Sequence, residues 1–186
     1  EELANWRGTA RHQAAKLLSG LCGYCEEHLT QELAKIVAAG CRARRVVRRE
    51  HYDGRALVLE CCAVLGRYVV PESSIQFLAP RIKGDLEVLP GGTDAASRAD
   101  VVDILAALLR GAKASAVLPQ FANIVAVLAD DELATAHDPL LKKAALGAIA
   151  GLLATLSTRG RAALAAVFVA TGRLDAIDTT LAAVFR

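Results

Sequence analysis

Apolar residues recur along the chain with the spacing of an amphipathic helix, and four segments share one frame. Each segment contains a small or apolar pair and has Leu or Ile four residues after the first member of that pair. Three of the segments also carry a basic residue ahead of the pair. Residues three and four apart lie on one face of a helix, so each segment predicts a helix with one buried face. The segments are residues 11–18, 58–65, 98–105 and 142–149.

The spacing between these segments indicates a repeat. The pairs begin at Ala14, Cys61, Val101 and Ala145, which are 47, 40 and 44 residues apart. Helix pairs that recur every 40 to 47 residues or so are typical of HEAT repeats, which bury their apolar faces by stacking on their neighbours. The sequence therefore predicts an all-α fold of the α-α superhelix type, a HEAT-repeat solenoid with about four helix pairs and a short C-terminal helix.

A second helix is expected after each of these first helices. Pro71 and Pro119 stand near the starts of two of them, where proline fits the first turn. Pro80 lies inside one and should kink or shorten it. The second helices are predicted at about residues 28–40, 72–84, 115–129 and 160–170. The breakers that bound them are Gly40, Gly54, Gly84, the run Pro90-Gly91-Gly92, and Gly160.

We expect the whole chain, residues 1–186, to form a single HEAT-repeat domain. Its repeats are predicted at about residues 4–41, 54–85, 94–130 and 138–171, with a terminal helix at 174–185. Hydrophobic residues make up 54% of the chain and aromatic residues only 4%, and Ala and Leu, both strong helix formers, supply much of the apolar content. This composition agrees with a helical fold.

Charge and apolar run length bear on the class of partner. The net charge of +2 argues against a dedicated nucleic-acid binder. The longest apolar run, residues 144–156, is about 13 residues long, whereas a helix needs about 20 to cross a bilayer. We therefore expect protein partners and no membrane association.

The stretch Cys22-x-x-Cys25-x-x-His28 has the spacing of metal ligands, but a tetrahedral zinc site needs a second pair that the sequence does not supply. Cys22 and Cys25 continue the apolar face of the first helix. We therefore interpret them as reduced core thiols, and the sequence predicts no metal site and no cofactor. No nucleophile elbow, phosphate loop or dinucleotide fingerprint is present either, so no enzymatic activity and no catalytic residue is predicted.

The strongest charge feature is a run of five arginines within eight positions, with no acidic residue among them. It could bind phosphates or an acidic protein, or it could be a solvated connector between the first two repeats. The sequence leaves these alternatives open. The candidate partner-binding residues are Arg42, Arg44, Arg45, Arg48 and Arg49.

Two stretches carry a resemblance to a known family. The first starts at Trp6-Arg7, continues as RHQAAKLLSGLCGYCEEHLTQEL and contains the turn Glu26-Glu27-His28-Leu29-Thr30. The second is CCAVLGRYVVPESSIQFLAPRIKG, with the turn that runs from Leu65 to Glu72. Together they resemble the C-terminal HEAT repeats of the dynein axonemal assembly factor 5 family.

This resemblance implies a cytoplasmic, non-enzymatic factor for the preassembly of axonemal dynein arms of motile cilia and flagella. It implies dynein subunits, other assembly factors or chaperones as partners. One alternative is a generic HEAT adaptor for other complexes. The other is a HEAT-like nucleic-acid-binding module, which the second helices disfavour because their few basic residues are Lys35, Arg81 and Lys83.

Overall fold

The structure, a computed structural model, describes residues 8–50, 54–87, 89, 92–130, 133 and 137–155. Throughout these residues every regular element is a helix and no strand occurs, which confirms the all-α prediction. Two short 3-10 turns, Glu26–Thr30 and Leu118–Gln120, interrupt the series. The α-helices are α1 (Gly8–Cys25), α2 (Leu33–Glu50), α3 (Gly54–Gly66), α4 (Pro71–Lys83), α5 (Ala95–Gly111), α6 (Ala114–Val117), α7 (Phe121–Leu128) and α8 (Pro139–Thr155).

The helices form the two layers of a solenoid. In the first layer α1 packs on α3, α3 on α5, and α5 on α8, and these are the four helices that carry the repeated apolar frame. In the second layer α4 packs on α7, and α4 also packs across the layers on α5. One core cluster joins the layers, and it includes Leu65 and Leu105 from the first layer and Leu78 and Ile124 from the second. The predicted HEAT-like stacking is therefore confirmed.

Two glycines let α3 and α5 touch through their backbones. A Cβ atom added at Gly66 would lie 2.0 Å from the carbonyl oxygen of Leu108, and one added at Gly111 would lie 1.7 Å from that of Ala63. Both distances are far below any non-bonded contact. The absence of a side chain at these positions therefore sets how closely the first helices of the second and third repeats approach each other.

The second helix of the first repeat differs from the prediction. The 3-10 turn Glu26–Thr30 occupies the predicted start, and α2 then runs from Leu33 to Glu50, well past the predicted end at residue 40. Gly40 lies inside α2 and is buried, with the Cδ1 atom of Ile104 3.4 Å from where its Cβ would be. Gly40 therefore permits close packing and does not break the helix.

The predicted second helix of the second repeat is confirmed as α4. The helix continues through Pro80 and ends three residues later at Lys83, where Gly84 adopts the left-handed conformation with a φ of 93°. The N–H groups of Gly84 and Asp85 both donate to the Pro80 carbonyl and close this end. Arg98 on α5 adds a further hydrogen bond, since its Nε donates to the Ile82 carbonyl at 2.7 Å.

In the third repeat the second helix is divided into α6, a 3-10 turn at Pro119, and α7. The fourth second helix, predicted at residues 160–170, and the terminal helix, predicted at 174–185, lie outside the described residues. The repeat boundaries themselves stay a prediction.

Candidate partner-binding surface

The arginine run lies on a helix. All five arginines belong to α2, so the alternative of a solvated connector between repeats is wrong for this segment. Arg42 is exposed, Arg45 is partly exposed and Arg44 is buried, whereas the side chains of Arg48 and Arg49 lie outside the described residues. Helix geometry therefore separates the arginines into different environments.

Arg44 is held inside the fold. Its Nε donates to the Oδ1 atom of Asp100 at 2.7 Å, and its Nη2 donates to the Oδ2 atom of Asp103. Its relative exposure is 2%, and Nη1 makes no hydrogen bond within the described residues. A buried arginine must be paired, because an uncompensated charge in the core is strongly destabilising. A partner cannot reach Arg44, and it leaves the candidate set.

The ion pairs of Arg44 also explain why α2 contacts the third repeat as well as the adjacent helix α3. Asp100 and Asp103 lie on α5, the first helix of the third repeat, and α2 packs against α5 as well as against α3. The sequence reasoning missed these two acids. Two aspartates three residues apart, which flank Val101 and Val102 and precede the apolar run 104–109, are the signal that could have found a buried ion pair.

Arg45 supports the start of α5. Its Nη2 donates to the Ser97 hydroxyl at 2.7 Å, and the Ser97 N–H donates to the Oδ1 atom of Asp94, the N-cap of α5, at 2.8 Å. A Cβ at Gly92 would lie 2.9 Å from the same Nη2 atom. Arg45 therefore lies at the edge of any surface that the exposed arginines form.

The cysteines of the Cys22-x-x-Cys25-x-x-His28 stretch lie where the sequence predicts. Cys22 is fully buried, Cys25 is partly buried against the core, and His28 is exposed on the 3-10 turn. From α3, the Cys61 thiol donates to the Ala15 carbonyl at 3.2 Å. Across the residues that the structure describes, no group of three or more His, Cys, Asp or Glu side chains is placed to hold a metal ion.

Burial controls the protonation of the cysteine thiols. It raises the pKa of Cys41 to about 12 and that of Cys62 to about 12, because the core cannot solvate a thiolate. Burial also raises the pKa values of Cys22 and Cys61. These groups remain neutral thiols at physiological pH and behave as small apolar side chains.

The raised thiol pKa values predict a loss of stability in alkali. An unfolded thiol titrates near pH ~8.5, so the folded state holds these protons more tightly, and the stabilisation is complete below that pH and falls as the pH rises toward 12. At a pH of about 10 we expect each of the two thiols to lower the free energy of unfolding by roughly 1–2 kcal/mol. Urea denaturation at neutral pH and at about pH 10 measures this effect. A variant with Cys41→Ala and Cys62→Ala should lose less stability over that interval, and an equal loss would contradict the prediction.

The two turns that carry the sequence resemblance contact each other. The Val70 N–H donates to the Thr30 hydroxyl at 3.4 Å, which joins the turn after α1 to the turn after α3. In the second turn Pro71 is the first residue of α4, and Gly66 makes the close approach to α5. Both motifs therefore have structural roles at the junctions between helices.

A comparison with known protein families agrees with the resemblance that these two turns carry. The model of the HEAT-repeat domain of dynein axonemal assembly factor 5 matches residues 1–171. The chain belongs to this family. The match extends from the first repeat well beyond the two turns that carry the resemblance. No curated protein and no solved structure shows significant similarity to the chain.

Two further observations describe this member of the dynein axonemal assembly factor 5 family. None of its described helices is both long and apolar enough to cross a bilayer. The described arginines of α2 that a partner could reach are Arg42 and, at the edge, Arg45.

Proposed function

We propose that the chain is a non-enzymatic HEAT-repeat scaffold for the cytoplasmic preassembly of axonemal dynein arms of motile cilia and flagella. It holds dynein subunits, other assembly factors or chaperones during assembly. The observation that carries this proposal is the family match over residues 1–171, and the two-layer helical stack supports it. A stack of helix pairs offers a long continuous surface, which suits the binding of large protein partners.

The outer face of α2 is the proposed partner site. Arg42, Arg45 and Arg49 are spaced three and four residues apart, so these positions share one face of the helix. Arg48 lies beside them in the sequence. An acidic surface of a partner complements arginines at this spacing, because guanidinium groups bind carboxylates through paired hydrogen bonds.

Affinity capture from the cytoplasm of ciliated cells tests both statements. The full chain should retain dynein subunits or assembly factors, identified by mass spectrometry. A variant with Arg42→Ser, Arg48→Ser and Arg49→Ser should retain about tenfold less of the same proteins, because each lost charge weakens a charged contact. Arg44 and Arg45 are kept because their hydrogen bonds support the fold, and the melting temperature of the variant is measured to check that it remains folded.

A matched control removes three exposed lysines elsewhere, through Lys113→Ser, Lys142→Ser and Lys143→Ser. This variant has the same net charge and should retain the captured proteins. Equal losses in the two variants would mean that net charge, and not the α2 face, governs binding. Capture of unrelated complexes without any dynein component would favour the generic HEAT adaptor.

A further inference from the structure

Arg81 on α4 is held by a neighbouring ring and a backbone carbonyl, and no carboxylate of the described residues pairs with it. Its guanidinium carbon lies 3.8 Å from the centre of the Phe77 ring, and its Nη1 donates to the Phe77 carbonyl at 2.6 Å. Its Nε is buried and has no hydrogen-bond partner within the described residues. The side chain as a whole is partly exposed, so a binding partner can reach it.

Three other cations of this region each contact an acceptor on another element of the fold. Arg44 pairs with two aspartates, Arg98 donates to the Ile82 carbonyl, and Lys83 on α4 forms an ion pair with Asp130 at 3.0 Å. Burial lowers the pKa of Arg81, because part of the hydration of its guanidinium is lost. An arginine remains charged at neutral pH, so Arg81 is a partly desolvated cation that a carboxylate would stabilise.

We propose that Arg81 and Phe77 form a docking point on α4 for an acidic segment of a protein partner. The carboxylate of a partner Asp or Glu accepts hydrogen bonds from the Nη groups of Arg81, while an adjacent apolar residue packs on the partly buried Phe77 ring. The proposal rests on the scaffold function proposed above and gives that scaffold a second contact, on α4 instead of α2. Stacking on Phe77 holds the guanidinium in place, so less side-chain entropy is lost on binding.

The surroundings favour a carboxylate over a phosphate. Phosphate groups and nucleic acids are bound by several cations together, and single-stranded nucleic acids also need a series of stacking aromatic residues. Lys83, the nearest cation on α4, already pairs with Asp130. A single guanidinium matches a single carboxylate in charge.

Fluorescence anisotropy with a labelled Glu-rich peptide containing interspersed Leu residues tests the proposal. The full chain should bind this peptide, and a peptide with Gln in place of every Glu should bind at least about tenfold more weakly. Arg81→Gln should weaken binding of the acidic peptide by about tenfold, and Arg81→Lys should weaken it too, because Lys neither stacks flat nor donates in parallel. Arg110→Gln, at an exposed arginine of α5, removes the same charge and should leave the affinity unchanged.

Either of two results in the anisotropy assay would overturn the docking point. One is an equal loss of affinity in Arg81→Gln and Arg110→Gln. The other is a stronger dependence on Arg81 for a phosphopeptide or an RNA oligomer than for the acidic peptide. Dynein capture that persists in Arg81→Gln, together with no acidic-peptide binding by the unaltered chain, would remove this proposal and leave the scaffold function standing. Arg81-dependent peptide binding without any dynein capture would remove the dynein-assembly function and leave the acidic docking point standing.

Discussion

Replacing Gly66 with Ala should lower the free energy of unfolding by about 3 kcal/mol, although alanine favours helices more than glycine does. The added Cβ would lie 2.0 Å from the Leu108 carbonyl oxygen, which belongs to the backbone of α5 and cannot rotate away as a side chain would. Helices α3 and α5 would have to separate, and the contacts along their whole interface would weaken. Gly111→Ala should have a similar effect, since its Cβ would meet the Ala63 carbonyl oxygen at 1.7 Å.

Gly147→Ala is the matched control for this test. Gly147 lies inside α8, and among the described residues no atom outside its own stretch of helix lies within 4 Å of the added Cβ, so the substitution should raise stability by about 0.5–1 kcal/mol through helix propensity. Urea denaturation of the three variants compares these effects through the transition midpoints. If Gly66→Ala and Gly147→Ala shift the midpoint in the same direction, close backbone contact does not hold α3 against α5.

Removing the Arg44 cation should lower the free energy of unfolding about as much as Gly66→Ala does. Arg44→Met leaves the 1% exposed carboxylate of Asp100 in the core without this partner, and we expect a loss of about 3–5 kcal/mol. Arg110→Met removes the same charge from an exposed position and should change stability by less than about 0.5 kcal/mol. Chemical denaturation of both variants gives this comparison directly.

A second substitution shows whether the loss of stability comes from the Asp100 carboxylate, which Arg44→Met leaves without its counter-charge. Arg44→Met combined with Asp100→Leu replaces the ion pair by apolar groups, and buried pairs exchanged in this way often keep their stability. The double variant should therefore recover most of what Arg44→Met alone loses. A double variant as unstable as the single one would mean that Arg44 contributes mainly through packing of its side chain.

The first helices could be predicted from the sequence because their signal is local. The apolar frame around Cys61 and Val101 places Leu65 and Leu105 one turn later on the buried face, and both are 1% exposed or less. The same logic placed Cys22 in the core. Helix periodicity follows from contacts between residues only a few positions apart, so one sequence is enough to read it.

The environment of the arginines could not be predicted in this way. The partner of Arg44 lies 56 residues away on another helix, and nothing near Arg44 in the sequence distinguishes it from Arg42 or Arg45. Gly40 was wrongly predicted to end a helix for a related reason. Its role is to admit Ile104 from α5, a steric requirement from outside the helix, whereas sequence rules treat an isolated glycine as a local end signal.

The reach of Arg44 from α2 to α5 also bears on the mechanics of the stack. A solenoid bends like a spring, because small rotations at the joints between successive repeats add up along its length. A buried tie that passes over the second repeat couples two of these joints, so neither can open without straining the other. Bending that draws α2 away from α5 would break this buried ion pair, so the tie resists bending between the first and third repeats.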